Sequence, residues 1–182
     1  MKFTPTAIPD AVLIEPKVFG DARGFFMESW NKRTFEQAGI AAHFIQDIHS
    51  RSTRGVLRGL HYQIRQPQGK LVWAVAGEVY DVAVDLRKGS STFGKWVGFA
   101  LSAQTRHMAW IPPGFAHGFL VVSEVAEVLY KTTDFYAPEH ERTLLWNDAD
   151  LRITWPLENG AAPLIAAKDL AGQAFKSAHL YP

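Results

Sequence analysis

The apolar and polar positions of this chain form short runs of β type, separated by Gly, Pro or polar turns. Alternation and β-branched or aromatic content predict eight strands, at residues 11–15, 24–30, 70–76, 79–86, 96–101, 106–111, 118–122 and 127–134. Gly77-Glu78 lies between two of these runs and predicts a tight hairpin turn.

Helical patterns are few. Residues 31–38 predict a short helix that Asn31 caps and Gly39 ends. A second helix is predicted from Asp169 or Leu170 to about Ala178. Many short strands with little helix between them favour an all-β antiparallel sandwich or small barrel, with a jelly roll as the leading candidate. The sequence lacks both a βαβ pattern and a glycine fingerprint after a strand, which argues against a dinucleotide-binding fold.

Composition narrows the class of protein. The 182 residues are 47% apolar, which suffices for one sizeable core and favours a single domain over residues 1–182. The chain has 19 basic and 18 acidic residues, a net charge of +1, which argues against a dedicated nucleic-acid binder. Binding of a small anionic ligand needs only a few suitably placed Arg or Lys side chains, so the net charge does not exclude it. Six Trp and 12 Phe suit a β-sandwich or barrel with a large pocket.

The chain contains no cysteine, which excludes disulfides, thiolate nucleophiles and Cys-ligated zinc. The first ten residues lack an apolar signal core, and no apolar run approaches the roughly 18 residues of a membrane span. We therefore expect a cytoplasmic protein with no membrane and no nucleic-acid partner.

The first candidate site is the run Arg58-Gly59-Leu60-His61, with Lys70 shortly after it. Histidine has the reference pKa nearest neutrality, so His61 is the default general base. Strict alternation places Arg58 and His61 on opposite faces of a strand, whereas a bulge at Gly59 brings them together. The alternative is that His61 is a hydrogen-bonded structural residue and Arg58 a surface charge.

Two further candidates lie on predicted strands. A Pro-Gly turn at 112–114 precedes His117, which shares a strand face with Phe119. Tyr130 faces the interior if Val128 does, and a buried phenol needs a partner or a function. The alternatives are a histidine that hydrogen-bonds its loop and a core tyrosine with a bonded hydroxyl.

Asp169 has two interpretations: a helix N-cap, or a carboxylate that orients a histidine. A metal site is disfavoured. Barrels of this kind commonly bind metal through two histidines separated by one residue, then a Glu and a third His. Here Tyr62-Gln63 follows His61, and the other histidines form no close cluster in sequence.

Taken in order along the chain, many short motifs match one family. The matching segments are 15–21, 23–26, 28–29, 46–47, 58–61, 68–72, 77–85, 91–94, 110–112, 114–119, 129–131, 145–148 and 167–169. Any one of them is a weak signal, but together they are specific. The chain resembles the dTDP-4-dehydrorhamnose 3,5-epimerase family, which are cupin-fold sugar-nucleotide epimerases.

The resemblance implies a jelly-roll homodimer that exchanges strands or N-terminal segments. It implies conversion of dTDP-4-dehydro-6-deoxy-D-glucose to dTDP-4-dehydro-L-rhamnose, with no metal and no redox cofactor. The roles it implies are His61 as base, Asp169 as its orienting carboxylate, Tyr130 as acid and Lys70 facing the O4 charge. The residues expected to bind the substrate are Arg23, Glu28, Gln46, Arg58, His117, Glu141 and Lys168, some of them from the partner subunit.

One departure from the family pattern lies beside the matching Gln46-Asp47. The family commonly has Asn where this chain has Ile48, which puts one polar contact in doubt. Three other functions stay open: an epimerase that inverts only C3 or acts on a related 4-keto sugar nucleotide, a silent cupin that only binds such a nucleotide, and a metal-dependent cupin oxygenase.

Overall fold

The computed structural model describes residues 1–182, except for the side chain of Asn159. Its elements are short, as the sequence pattern predicts. The strands are β1 (Lys2–Pro5), β2 (Val12–Glu15), β3 (Val18–Asp21), β4 (Gly24–Met27), β5 (Gln46–Thr53), β6 (Val56–Gln63), β7 (Lys70–Ala76), β8 (Glu78–Asp85), β9 (Trp96–Ser102), β10 (Met108–Ile111), β11 (Phe115–Val121), β12 (Val125–Thr132), β13 (Glu141–Thr143) and β14 (Leu164–Ile165). The helices are α1 (Lys32–Gln37) and α2 (Ala167–Leu170), with 3₁₀ turns at Pro138–His140, Glu158–Gly160 and Phe175–Ser177.

Two main sheets build the molecule. The first has the order β1-β2-β10-β7-β12-β5, and the second has the order β13-β6-β11-β8-β9, with β14 pairing β6. Neighbouring strands are antiparallel except for β14, which runs parallel to β6. The buried cluster that includes Val72 and Val128 of the first sheet with Val79 and Phe119 of the second joins the two inner faces. The predicted all-β class is confirmed.

Apolar side chains also cover the outer faces. Phe35 of α1 packs with Trp73 and Met108 over the first sheet. Trp155 and Leu151 from the C-terminal third pack over the second sheet. Each sheet is thus held between two apolar layers, which stiffens the walls that carry the site residues. None of the helices in the described residues is long and apolar enough to cross a membrane.

The first predicted helix is confirmed. Asn31 caps α1 by accepting a hydrogen bond from the Thr34 N–H at 3.2 Å, and Gly39 follows the helix with a φ of +83°. The second predicted helix is wrong in extent and in cap. Helix α2 spans only four residues, Ala166 occupies its N-cap position, and Asp169 lies inside it.

The predicted hairpin at Gly77-Glu78 is also wrong. Strand β7 pairs with β10 and β12, whereas β8 pairs with β9 and β11, so the two strands belong to different sheets. Gly77 is a corner where the chain crosses between sheets. Its φ is +66°, and an added Cβ would lie 1.9 Å from the Val125 carbonyl oxygen. Local turn signals do not distinguish such a corner from a hairpin, because both need a glycine at positive φ.

Candidate active site

A bulge in β6 organises one wall of the site. His61 pairs with His117 and Arg58 pairs with Phe119, so β6 uses one residue more than β11 over this stretch. Since His117 and Phe119 share a face, Arg58 and His61 share it too, as the predicted bulge requires. Gly59 permits the close approach: its φ is +115°, and an added Cβ would lie 2.6 Å from the Gly118 Cα.

A cavity of about 800 Å³ lies between the sheets, and nine of the eleven predicted site residues line it. The second sheet supplies its histidine wall, the first sheet supplies the opposing wall, and the segment at β14 and α2 closes one side. The nine residues are Gln46, Arg58, His61, Lys70, His117, Tyr130, Glu141, Lys168 and Asp169.

His61 and Asp169 form a hydrogen-bonded pair. The His61 Nε2 lies 2.6 Å from the Asp169 Oδ1, and the Gly59 N–H donates to the other carboxylate oxygen at 3.2 Å. Burial alone would raise the pKa of Asp169. The net effect is a pKa below the usual value, because the carboxylate is stabilised by the hydrogen bond and charge of His61, by the Gly59 N–H and by the Lys168 charge. Asp169 is therefore hydrogen-bonded to a histidine and does not cap the helix.

A second pair of this kind lies beside the first. The His117 Nε2 lies 2.7 Å from Oδ2 of Asp81, which is fully buried. Burial lowers the pKa of His117, and the Asp81 charge opposes that shift. Sequence reasoning missed Asp81. The available signal was a carboxylate in the middle of the otherwise apolar run 79–84 of β8, two positions from Ala83, which pairs with His117.

Lys70 begins β7 and points into the cavity from the opposite sheet. It is only 9% exposed, and the structure gives its Nζ no hydrogen-bond acceptor among the described residues. Burial lowers the pKa of Lys70 to about 8, although the charges of Asp81 and Glu141 oppose this. A buried ammonium with free donors is suited to bind an oxygen on which negative charge develops.

Tyr130 faces the interior, as the alternation with Val128 predicts. It pairs with Val72 and Ile48 on its two neighbouring strands and packs against the central core cluster. Its ring centroid lies 6.5 Å from that of His117. Burial raises the pKa of Tyr130, so its phenol stays protonated at neutral pH. Tyr130 and the two histidines thus face one cavity from different sheets.

Polar side chains meet at the rim. Oε2 of Glu141 accepts hydrogen bonds from Lys168 Nζ at 3.1 Å and from the Tyr136 hydroxyl at 3.2 Å. Oε1 of Gln46 accepts from the Tyr136 N–H at 3.0 Å. Tyr136, which sequence reasoning missed, is half-exposed and lines the cavity. It lies outside the predicted strands, where periodicity carries no information.

Arg58 is held by a buried hydroxyl. Its Nε donates to Ser52 Oγ at 3.0 Å, and its two terminal nitrogens have no protein acceptor within the part of the chain that the structure describes. Ser52 is a second residue that sequence reasoning missed. Its face is fixed by the alternation of β5, where Gln46, Ile48 and Ser50 share it.

Arg23 and Glu28 do not line the cavity of this chain. Arg23 lies in the turn between β3 and β4 and pairs with Asp21, while Glu28 accepts a hydrogen bond from Asn31. Ile48 lies in the cavity directly beside Tyr130, so the departure from the family pattern falls inside the site. In the described residues, no group of three or more His, Cys, Asp or Glu side chains is arranged to hold a metal ion.

Comparison with known proteins gives a consistent result. The sequence profile of the dTDP-4-dehydrorhamnose 3,5-epimerase family matches residues 5–177. A dTDP-4-dehydrorhamnose 3,5-epimerase from Pseudomonas aeruginosa is 64% identical over 183 residues, covering 100% of both chains. The crystal structure of a dTDP-6-deoxy-D-glucose-3,5-epimerase from Legionella pneumophila with dTDP-4-keto-L-rhamnose has a TM-score of 0.94 and 49% identity, covering 98% of this chain and 94% of that one.

A further similar structure is ChmJ, a 3'-monoepimerase from Streptomyces bikiniensis in complex with dTDP-quinovose. It has a TM-score of 0.88 and 32% identity, and the match covers 96% of this chain and 88% of that one. The two-sheet barrel with its polar cavity defines a cupin-like epimerase fold. The chain belongs to the dTDP-4-dehydrorhamnose 3,5-epimerase family and is an isomerase that acts on carbohydrates.

Proposed function

We propose that this enzyme epimerises C3 and C5 of dTDP-4-dehydro-6-deoxy-D-glucose to give dTDP-4-dehydro-L-rhamnose. Family membership supports the class of reaction. The observation that carries the proposal is that His61 and Tyr130, on different sheets, open into one cavity that also holds the buried Lys70 ammonium.

The reaction requires three groups. The hydrogens on C3 and C5 are acidic because they are α to the C4 ketone. Inversion at either carbon needs a base on one face, a proton donor on the other, and stabilisation of the enolate between them. Protons and electrons balance within these steps, so the chemistry itself uses no redox cofactor.

His61 is the proposed base. Its Nε2 is held by the Asp169 carboxylate, which favours the neutral tautomer with the proton on Nε2 and leaves the Nδ1 lone pair free. His117 has the same kind of partner, but the exposed fraction of its side chain is 7% against 23% for His61. Burial also lowers the pKa of His117. His61 is therefore the more accessible of the two candidate bases.

Lys70 is the proposed partner of the O4 oxygen. As the base removes a proton, negative charge grows on O4, and a preorganised ammonium in a water-poor site stabilises it. Loss of one such group typically costs about 2.7–4 kcal/mol, or ~10²–10³ in rate. Tyr130, kept protonated by burial, delivers a proton to the opposite face of the sugar.

The nucleotide is bound by the remaining polar groups. The free terminal nitrogens of Arg58 form a fork that suits a diphosphate. Gln46, Glu141, Lys168 and His117 contact the rest of the substrate within the cavity and at its rim.

We further propose a homodimer in which the β3–β4 hairpin of one subunit brings Arg23 and Glu28 to the site of the other. Phe19, Phe25 and Phe26 of this hairpin are 54%, 57% and 72% exposed in one chain, which is unusual for phenylalanine unless a partner covers it.

The experiment is incubation with the 4-keto substrate in heavy water, followed by NMR. Deuterium at both C3 and C5 is expected. Deuterium at C3 alone would favour a second candidate function, that of a 3'-monoepimerase. The similarity to ChmJ supports testing this alternative. No exchange at either carbon, with dTDP still bound, would leave only a sugar-nucleotide-binding protein. Activity that disappears on chelation would return a metal-dependent reaction to consideration.

A further inference from the structure

Asp81 is the most deeply buried charge near the cavity, and the mechanism above gives it no role. It lies in the middle of β8, paired with Phe119 on one side and Phe99 on the other, and its exposed fraction is 0%. A carboxylate in this position is costly unless its oxygens are paired.

Among the described residues, only one of the two carboxylate oxygens of Asp81 has a hydrogen-bond partner. Oδ2 accepts from His117 Nε2 at 2.7 Å, while Oδ1 is buried and has no hydrogen-bond partner among the described residues. An unpaired buried oxygen of this kind calls for an explanation. Asp85, on the same strand, is equally buried, but Arg87, Ser90 and Thr92 satisfy both of its oxygens.

The negative charge of Asp81 acts on two residues that line the cavity, Lys70 and His117. Asp81 is the first of the negative groups that oppose deprotonation of Lys70, and Glu141 is the other. The groups that act on His117 are Asp81, Lys70 and His61. Asp81 is hydrogen-bonded to the His117 ring, and His117 and Lys70 line the same cavity.

We propose that Asp81 is a positioning residue of the reaction: one carboxylate oxygen holds His117 with its proton on Nε2, and the charge of the carboxylate keeps the buried Lys70 ammonium protonated. This rests on the proposed function, in which Lys70 stabilises the O4 enolate. Without Asp81, Lys70 loses its proton at lower pH, and the oxyanion loses its partner.

The test is an Asp81→Asn variant, which keeps the shape of the side chain and removes its charge. Because a nearby opposite charge typically shifts a pKa by about 1–3 units, the alkaline limb of the kcat profile should move to lower pH by about one unit or more. The affinity for dTDP should stay within about threefold, because Asp81 does not contact the nucleotide in this proposal.

Asp85→Asn is the matched control. It makes the same substitution on the same strand at the same burial, but Asp85 is paired with Arg87 and not with a cavity residue. It should lower stability and leave the alkaline limb of the remaining activity where it is in the wild type. An equal shift in both variants would mean that loss of packing explains the Asp81 result, and an unshifted limb in Asp81→Asn would overturn the proposal.

A measurement on the wild-type enzyme covers the case in which Asp81→Asn fails to fold. In ¹⁵N-histidine NMR near neutral pH, the His117 ring should be neutral with its proton on Nε2, its signals being assigned by their loss in His117→Asn. A proton on Nδ1 alone would overturn the proposal. Failure of the proposed function is distinguishable, since it would already show as absence of exchange in the wild type.

Discussion

The close contact at Gly59 predicts a large and specific effect of Gly59→Ala. The new Cβ would lie 2.6 Å from the Gly118 Cα and 2.7 Å from the His117 carbonyl oxygen, both of them backbone atoms that cannot rotate away. The φ of +115° adds strain for any residue with a side chain. Strain of about 1–3 kcal/mol and overpacking of about 1–3 kcal/mol together predict a loss of about 2–6 kcal/mol in the free energy of unfolding.

Gly55→Ala provides the matched comparison. Gly55 also has a positive φ, +78°, but an added Cβ would meet nothing within 4 Å. This variant should show the conformational cost alone, about 1–2 kcal/mol. Urea unfolding of both variants separates the two contributions, provided that the slopes match the wild type.

Gly59→Ala should also impair the site while the protein is still folded. A shift of this backbone moves His61 and weakens the hydrogen bond from the Gly59 N–H to Asp169. Deuterium exchange should therefore fall well below wild type at a temperature where circular dichroism shows native structure. Equal losses of stability for the two variants, or wild-type exchange in folded Gly59→Ala, would refute the reasoning.

Two other variants test single hydrogen bonds. Asp169→Asn removes the charge that orients His61 and stabilises the imidazolium formed when His61 takes up a proton from the substrate. The kcat should therefore fall at least about 10²-fold, while calorimetry should show a nearly unchanged affinity for dTDP. A retained kcat would contradict a role for this hydrogen bond. Ser52→Ala removes the hydrogen bond that holds the Arg58 Nε, and such a bond to a charged group contributes about 1.5–3 kcal/mol. The affinity for dTDP should therefore fall about tenfold or more, with little change in kcat. Ser50→Ala, on the same face of β5, is its control, and an equal effect of both variants would show that Arg58 is not held by Ser52 in particular.

The sequence allowed the all-β class, the first helix, the bulge at Gly59 and the inward face of Tyr130 to be predicted. These features depend on alternation, capping and glycine geometry within a few residues. The corner at Gly77 was mistaken for a hairpin because the choice of sheet depends on distant partners. The single domain, the homodimer and the individual catalytic roles stay predictions.

The site residues differ in how far local signals reach. Asp169 could be a cap or an orienting carboxylate from sequence alone, and only the fold brings it to His61, which is 108 positions away. Asp81, Ser52 and Tyr136 were missed because their importance comes from neighbours in space. Arg23 and Glu28, predicted to bind substrate, lie outside the cavity of one chain.

The two proposed proton-transfer groups lie on different sheets, and this has a consequence for how core substitutions affect turnover. Because the proposed proton acceptor His61 and the proposed donor Tyr130 stand on opposite walls, their separation depends on sheet spacing, ~10 Å in packed sheets. Apolar core residues that do not line the cavity, such as Val72 and Val128, help to set that spacing. Trimming or enlarging them would retune turnover without touching any group that handles the sugar.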